Sequence, residues 1–99
     1  MSETATLVVT ATPNPDEMAS VQDYLKSVMP LLLEAGGTPV KRLKVSDVIN
    51  GHASAMVLVM DFPSADAARD LFSSPAYGDL VATRDKGFRE MNILITGPM

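Results

Sequence analysis

Four stretches of the chain have the composition and the spacing of apolar residues that are typical of β-strands. They are residues 4–12, 38–49, 53–62 and 91–96, in which β-branched and other apolar residues dominate. Asn50-Gly51 lies between the second and the third stretch. Because this dipeptide favours the two-residue turn of a hairpin, we expect these two strands to pair antiparallel through a tight connection.

A different spacing follows the first strand, since apolar residues now recur at every third or fourth position. This spacing predicts a helix, which begins with Asn14 as its cap and Pro15 in its first turn. The helix is predicted to end at Gly36-Gly37. Because Pro30 lies inside the pattern, we expect one bent helix, with two shorter helices as the alternative.

Two more helical segments are predicted between the third and the fourth strand. Ser64 can cap a helix over residues 65–72, after which Pro75 interrupts the chain. A last helix is predicted from the helical spacing of apolar residues between Tyr77 and Phe88.

This order of elements predicts an α+β fold, a ferredoxin-like βαββαβ sandwich with a four-stranded antiparallel sheet, in one domain over residues 1–99. Its helices can cover only one face of the sheet. Large apolar residues nevertheless point to both faces, with Val57 and Val59 opposite Leu58, and Leu94 opposite Ile93. We therefore expect a homodimer in which a second copy buries the other face. The alternative is a monomer whose own termini cover that face.

The composition excludes several classes of function. Twelve acidic and eight basic residues give a formal charge of −4, which argues against binding to nucleic acid. The chain has no cysteine and one histidine, so disulfides, thiolate metal sites and multi-histidine metal sites are excluded, and we expect neither a metal nor a cofactor. No signal peptide and no apolar run of membrane-spanning length is present, which predicts a cytoplasmic protein without a membrane partner.

A set of motifs runs along the chain: Pro30 with the run from Leu33 to Gly37, Val40–Arg42, the segment Val57–Ser64 with Ala67-Ala68, the segment Ser73–Tyr77, and Arg84. Together these motifs resemble a bacterial family of unknown function in the dimeric α/β-barrel superfamily. The superfamily also includes cofactor-independent antibiotic-biosynthesis monooxygenases, polyketide-type cyclases and muconolactone isomerases. The resemblance implies a ferredoxin-like fold, a dimer whose two sheets form a barrel, and a pocket between each sheet and its helices. It implies no catalytic residues.

Asp61 and His52 are the candidates for acid–base catalysis. His52 is the only side chain whose ordinary pKa lies near neutrality, although its place after a turn is also typical of a solvated histidine. Asp61 ends a predicted buried strand, where its carboxylate is expected at the mouth of a cleft between sheet and helices. The alternative for Asp61 is a structural ion pair with Arg84 or Arg42.

Arg84, Tyr77, Arg42 and Tyr24 are the candidate ligand-binding residues. Arg84 follows Tyr77 by seven positions, which places both on one apolar helical face, where a guanidinium needs a carboxylate or an anionic ligand. The two tyrosines can present hydroxyl groups to a small aromatic or carbonyl compound, or they can simply fill the core with their hydroxyls in water.

These residues support two hypotheses for the function. In the first, the protein binds or converts a small organic molecule in a pocket between sheet and helices, as a cofactor-independent monooxygenase, cyclase or isomerase does. In the second, it is a non-catalytic ligand-binding or assembly module. The sequence leaves open whether the protein is an enzyme.

Overall fold

The computed structural model describes residues 4–52 and 54–99 of the chain. The strands are β1 (Ala5–Pro13), β2 (Thr38–Lys44), β3 (Met56–Phe62) and β4 (Phe88–Thr96). The helices are α1 (Met18–Glu34), α2 (Ala65–Phe72), α3 (Pro75–Gly78) and α4 (Val81–Gly87), and a 3-10 turn (Pro15–Glu17) precedes α1.

The four strands form one antiparallel sheet in the order β2-β3-β1-β4. β1 and β3 are the central strands, and β2 and β4 are the two edges. With α1 between β1 and β2 and the remaining helices between β3 and β4, this is a ferredoxin-like α+β sandwich, and the predicted fold class is confirmed.

The first helical segment begins and ends where the sequence predicts. The side chain of Asn14 accepts a hydrogen bond from the backbone N–H of Asp16 and thereby caps the 3-10 turn. α1 continues through Pro30 as one helix, so the alternative of two shorter helices is wrong. Gly36 ends it with a φ of 92°, a left-handed conformation that suits glycine.

The connection between β2 and β3 is longer than predicted. The two strands pair antiparallel, but their last pair is Lys44 with Met56, beyond which the N–H of Val45 donates to the carbonyl of Ala55. Asn50-Gly51 therefore lies in a long loop rather than in a tight hairpin, and that part of the prediction is wrong. Local turn preference does not fix the register here, because the strands stop pairing before they reach the turn. The predicted first residue of β3, Ala53, lies outside the described residues.

The segment predicted as one last helix between Tyr77 and Phe88 forms two short helices and ends earlier than predicted, so Tyr77 lies on α3 and Arg84 on α4. α4 ends at Gly87, and Phe88 has extended backbone angles and begins β4 opposite Pro13. Phe88 is buried, which explains its apolar character without a helical position. The spacing of apolar residues could not show whether Phe88 ends a helix or begins a strand, because one buried residue next to the boundary fits both the helical and the strand pattern.

The sheet has an inner face, which the helices cover, and an outer face, which they do not. The core lies on the inner face, where Leu7, Met60 and Phe62 are the largest fully buried side chains. α1 contributes a stripe of four buried residues to it, Val21, Tyr24, Val28 and Leu32.

The outer face carries apolar side chains that no described residue covers. Val8 of β1 lies beside Val59 of β3 and Leu94 of β4 in the strand registers, and the side chain of Leu94 is 50% exposed. The predicted two-sided apolar character of the sheet is therefore confirmed. No helix within the described residues is long and apolar enough to cross a membrane.

Candidate functional site

A small cavity lies between α1 and the inner face of the sheet. Its volume is about 50 Å³, and it is almost entirely apolar. The side chains around it come from three strands and two helices: Leu7, Val9, Ala11, Met56, Leu58, Phe88, Met91, Ile93, Tyr24, Leu25, Val28, Met29, Leu32 and Phe72. Several of them, such as Val9 and Leu58, are only partly buried. The sheet and α1 therefore do not close completely on each other.

Three methionines border this cavity. Met29 lies on α1, Met56 on β3 and Met91 on β4. A methionine side chain has three rotatable bonds and adapts to differently shaped neighbours. The cavity can therefore change its shape with little movement of the backbone.

A buried hydrogen-bond network lies at the α4 end of this cavity. The hydroxyl oxygens of Tyr24 and Tyr77 are 2.8 Å apart and share a hydrogen bond. Arg84 donates from Nη1 to the hydroxyl of Tyr77 over 3.1 Å and from Nε to Oδ1 of Asp85 over 3.0 Å. Its guanidinium also lies 5.9 Å from the centre of the Tyr77 ring. The tyrosine hydroxyls thus form bonds within the protein, and Arg84 obtains its partners without Asp61.

Local sequence brings these three side chains together. The Ser74 hydroxyl caps α3 by accepting from the N–H of Tyr77. α4 approaches α1 closely at Gly87, where an added Cβ would lie 2.9 Å from the backbone nitrogen of Val21. Only glycine allows this approach, which holds Arg84 against Tyr77 and Tyr24.

The network changes the acid–base properties of its members. Burial raises the pKa of Tyr24 well above its ordinary value of 10.0, and the hydrogen bond to Tyr77 raises it further. Partial burial alone would lower the pKa of Arg84, but its hydrogen bonds to Tyr77 and Asp85 outweigh this effect and raise the pKa. At neutral pH Tyr24 is therefore protonated and Arg84 is charged.

Two surface openings adjoin the cavity, one near each edge of the sheet. The β4 cleft, of about 480 Å³, is lined by Arg84, Asp85, Arg89, Glu90 and the cavity residues Phe88, Met91 and Ile93. The β2 groove, of about 660 Å³, runs between α1 and β2. It is lined by Gln22, Asp23, Lys26, Arg42, Leu43, Val57 and the cavity residues Leu25, Met29, Met56 and Leu58.

Asp61 does not lie at the mouth of the cleft between sheet and helices, and that prediction of its position is wrong. Its neighbours Met60 and Phe62 point to the inner face, so Asp61 points to the outer face. There its Oδ1 accepts a hydrogen bond from the Thr6 hydroxyl over 2.9 Å. The alternative ion pair with Arg84 or Arg42 is absent from the part of the chain that the structure describes.

The other two predicted site residues lie apart from the tyrosine network. His52 is exposed in the loop that joins β2 to β3. Arg42 is exposed on β2 and lines the β2 groove. The six predicted site residues therefore divide into one cluster, Tyr24, Tyr77 and Arg84, and three separate positions.

Sequence reasoning missed Lys26 and Met29 of the β2 groove. Both lie on α1, where their spacing gives no sign that a groove, rather than the core or open solvent, is next to them. Only the packing of the helix against β2 reveals this. Within residues 4–52 and 54–99, no three His, Asp or Glu side chains come together in a way that could hold a metal ion.

Solved structures share this fold. A protein of unknown function from Rhodopseudomonas palustris is similar with a TM-score of 0.82 at 15% identity, over 100% of this chain and 85% of that one. A dimeric protein of unknown function with a ferredoxin-like fold from Bacteroides fragilis is similar with a TM-score of 0.62 at 9% identity, over 96% of each chain. A protein from Nitrosomonas europaea, named as a candidate antibiotic biosynthesis monooxygenase, is similar with a TM-score of 0.63 at 12% identity, over 100% of this chain and 93% of that one.

The sequence itself points to one family. A comparison with curated proteins gives no match. The profile of the domain of unknown function DUF1330 matches residues 6–98, which is nearly the whole chain. This confirms the predicted resemblance to a family of unknown function, and the solved structures confirm the ferredoxin-like fold that the resemblance implies. The chain therefore belongs to the DUF1330 family.

Proposed function

We propose that this protein binds a small, largely apolar organic molecule between α1 and the inner face of the sheet. The observation that carries the proposal is the apolar cavity, which lies next to a buried network that ends in a charged arginine. Ligand sites are typically concave and apolar, with a few polar groups that fix the orientation of the ligand.

The ligand has to enlarge the cavity. Its present volume of about 50 Å³ compares with roughly 300 Å³ or more for a typical ligand pocket. We expect Met29, Met56 and Met91 to change their rotamers when a ring or a short chain enters, because flexible methionine side chains adapt at low cost.

At the β4 edge, Arg84 is placed to orient an oxygen of the ligand. Its side chain is 25% exposed and lines the β4 cleft, three of whose residues also border the cavity. Tyr77 and Asp85 hold the guanidinium in place and leave other N–H donors free. A carbonyl, phenol or carboxylate oxygen in the cleft fits this arrangement.

Binding has more support than acid–base conversion. Tyr24 remains protonated at neutral pH and so does not serve as a base, and Asp61 and His52 lie away from the cavity. A reaction in this site would rely on Arg84 to stabilise a developing oxyanion rather than on a protein base. The hypothesis of a non-catalytic ligand-binding module is therefore the one we favour.

Methionine methyl NMR tests the proposal with p-cresol as a neutral probe, which has an apolar ring and one hydroxyl. Binding in the cavity shifts the methyl signals of Met29, Met56 and Met91. The exposed Met18 and the fully buried Met60, which does not border the cavity, serve as internal controls.

Two variants complete the test. Val9→Phe fills the cavity and is expected to abolish the shifts, whereas Leu33→Phe, on the exposed side of α1, leaves them unchanged. If p-cresol shifts no cavity methyl, or shifts them equally in the Val9→Phe protein, the cavity is not the binding site.

We also propose that the outer face of the sheet binds a second copy of the chain. The exposed apolar side chains on this face support the proposal, as does the dimeric protein of similar fold from Bacteroides fragilis. An interface of the standard size, about 1,600 Å² in total, suffices for a stable dimer. Analytical ultracentrifugation at micromolar concentration then gives the mass of two chains, and the mass of one chain would overturn the proposal.

A further inference from the structure

The β2 groove brings together two basic side chains from different elements. Arg42 pairs with Leu58 in the sheet register, so its side chain lies on the inner face, toward α1. Lys26 approaches the same groove from α1. The floor between them is apolar, and four of its residues, Leu25, Met29, Met56 and Leu58, also line the cavity. The groove therefore adjoins the proposed binding site.

The two basic groups of the groove differ from Arg84 in their partners. Arg84 already donates to Tyr77 and Asp85. In the described part of the chain, no carboxylate forms an ion pair with Arg42 or Lys26, although Asp23 lines the same groove. A guanidinium presents five N–H donors in a planar fork that matches a carboxylate.

The charge around the groove is opposite to that of the whole protein. The chain carries a formal charge of −4, yet Arg42 and Lys44 lie on the inner face of β2, and Lys26 lines the groove from α1. One carboxylate, Asp23, lies among the lining residues. A basic opening on an acidic protein attracts anions locally, against the repulsion by the net charge of the chain.

We propose that the β2 groove admits an organic carboxylate with an apolar body, whose head group is held by Arg42 and Lys26 while its body enters the cavity. This inference rests on the proposed function and specifies its ligand class and its route of access. The groove fits such an ion because its charged side chains lie beside an apolar interior, where a molecule charged along its whole length would lose its hydration.

Octanoate and 1-octanol test this inference, because they have the same chain length and differ in their charge. Their binding is measured by titration of the methionine methyl signals in the wild-type protein. We expect octanoate to bind more tightly than octanol, and its affinity to fall as the salt concentration rises.

Charge-removing variants identify the site of the carboxylate. Arg42→Gln and Lys26→Gln are each expected to weaken octanoate binding at least about threefold and to leave octanol binding unchanged. Arg69→Gln removes the same charge from an exposed position on α2 and is the matched control, with no expected effect.

The outcomes separate this inference from the proposed function. If octanoate and octanol both shift the cavity methyls with equal affinity, or if Arg84→Gln weakens octanoate binding and Arg42→Gln does not, the cavity site stands and the anion-selective groove is wrong. If neither compound shifts any cavity methyl, the groove and the cavity site are both rejected. A change of sedimentation mass on addition of octanoate, without methyl shifts in the cavity, would assign the groove to a contact between copies and also overturn the inference.

Discussion

The two faces of the sheet carry different kinds of apolar side chain. The inner face is built from long or aromatic residues such as Leu7, Met60 and Phe62, which reach into the helical layer and are fully buried. The outer face is built mainly from valine and threonine, such as Val8 and Val59, with Leu94 near the β4 edge. Short β-branched side chains give a shallow, even surface, whereas long unbranched ones give a deep and adaptable one.

This difference indicates two kinds of contact. A helix leaves gaps where its cylinder meets a sheet, and flexible side chains fill them incompletely, which explains the cavity between α1 and the inner face. A second sheet lies flat against the first, so short side chains suffice to fill the space between them. The inner face therefore suits a ligand, and the outer face suits another copy of the chain.

The largest expected effect is the loss of a buried aromatic ring from the inner face. Phe62 is 1% exposed, and Phe62→Ala is expected to lower the free energy of unfolding by about 3–5 kcal/mol, since it removes apolar contacts and leaves a void. Val59→Ala, on the outer face, is expected to lower it by about 1 kcal/mol or less at a protein concentration where the chain is monomeric. Urea unfolding measures both, and equal losses would remove the distinction between the faces.

The next effect concerns association through the outer face. Leu94→Lys is expected to raise the dissociation constant of the dimer by about 100-fold, because an unpaired ammonium group would be buried in the interface. Leu33→Lys is the matched control, since Leu33 on α1 is 51% exposed and Leu94 is 50% exposed. Sedimentation equilibrium measures both constants, and a similar change in the two variants would show that the outer face is not the interface.

A smaller effect is expected in the tyrosine network. Tyr77→Phe removes the hydroxyl between Tyr24 and Arg84 and leaves a buried hydroxyl without its partner, which costs about 1–3 kcal/mol of unfolding free energy. The double variant with Tyr24→Phe is expected to lose less unfolding free energy than the two single variants lose in sum, because no buried hydroxyl of the tyrosine pair is then left without its partner. Additive losses in thermal unfolding would contradict this coupling.

The smallest effect is expected at alkaline pH. The pKa of Tyr24 is raised in the folded protein above its ordinary value of 10.0, so its contribution to stability is complete below that pH. As the pH rises above 10.0, the unfolded chain ionises first and the free energy of unfolding falls. Tyrosinate absorbance and urea unfolding measured together check this sign. Ionisation of Tyr24 in the folded protein near the ordinary value would contradict it.

Much of the fold could be predicted because its signals are local. Asn14, Ser64 and Gly36 perform the capping and helix-ending roles that their residue types predict. The two failures concern non-local pairing. Asn50-Gly51 favours a tight turn, but strand pairing stops at Lys44, and Phe88 fits a helical spacing although it begins a strand.

The candidate site was less accessible to prediction. The chemistry of Tyr24, Tyr77 and Arg84 identifies them as candidates, and the structure brings all three together. The place of Asp61 at the end of a buried strand suggests a position at the cleft, yet the alternation of side chains turns it to the outer face. A site depends on which distant residues meet, and a residue's own neighbours in sequence do not contain that information.

The amino-acid sequence by itself determined the order of strands and helices and the apolar character of both faces of the sheet, since these follow from local preference and from periodicity. Tertiary structure decided that α1 leaves a cavity above the sheet, that Tyr77 and Asp85 hold Arg84, and that Arg42 and Lys26 line one groove. These features arise from the packing of elements far apart in the chain, where small differences in side-chain volume decide what is filled and what stays open.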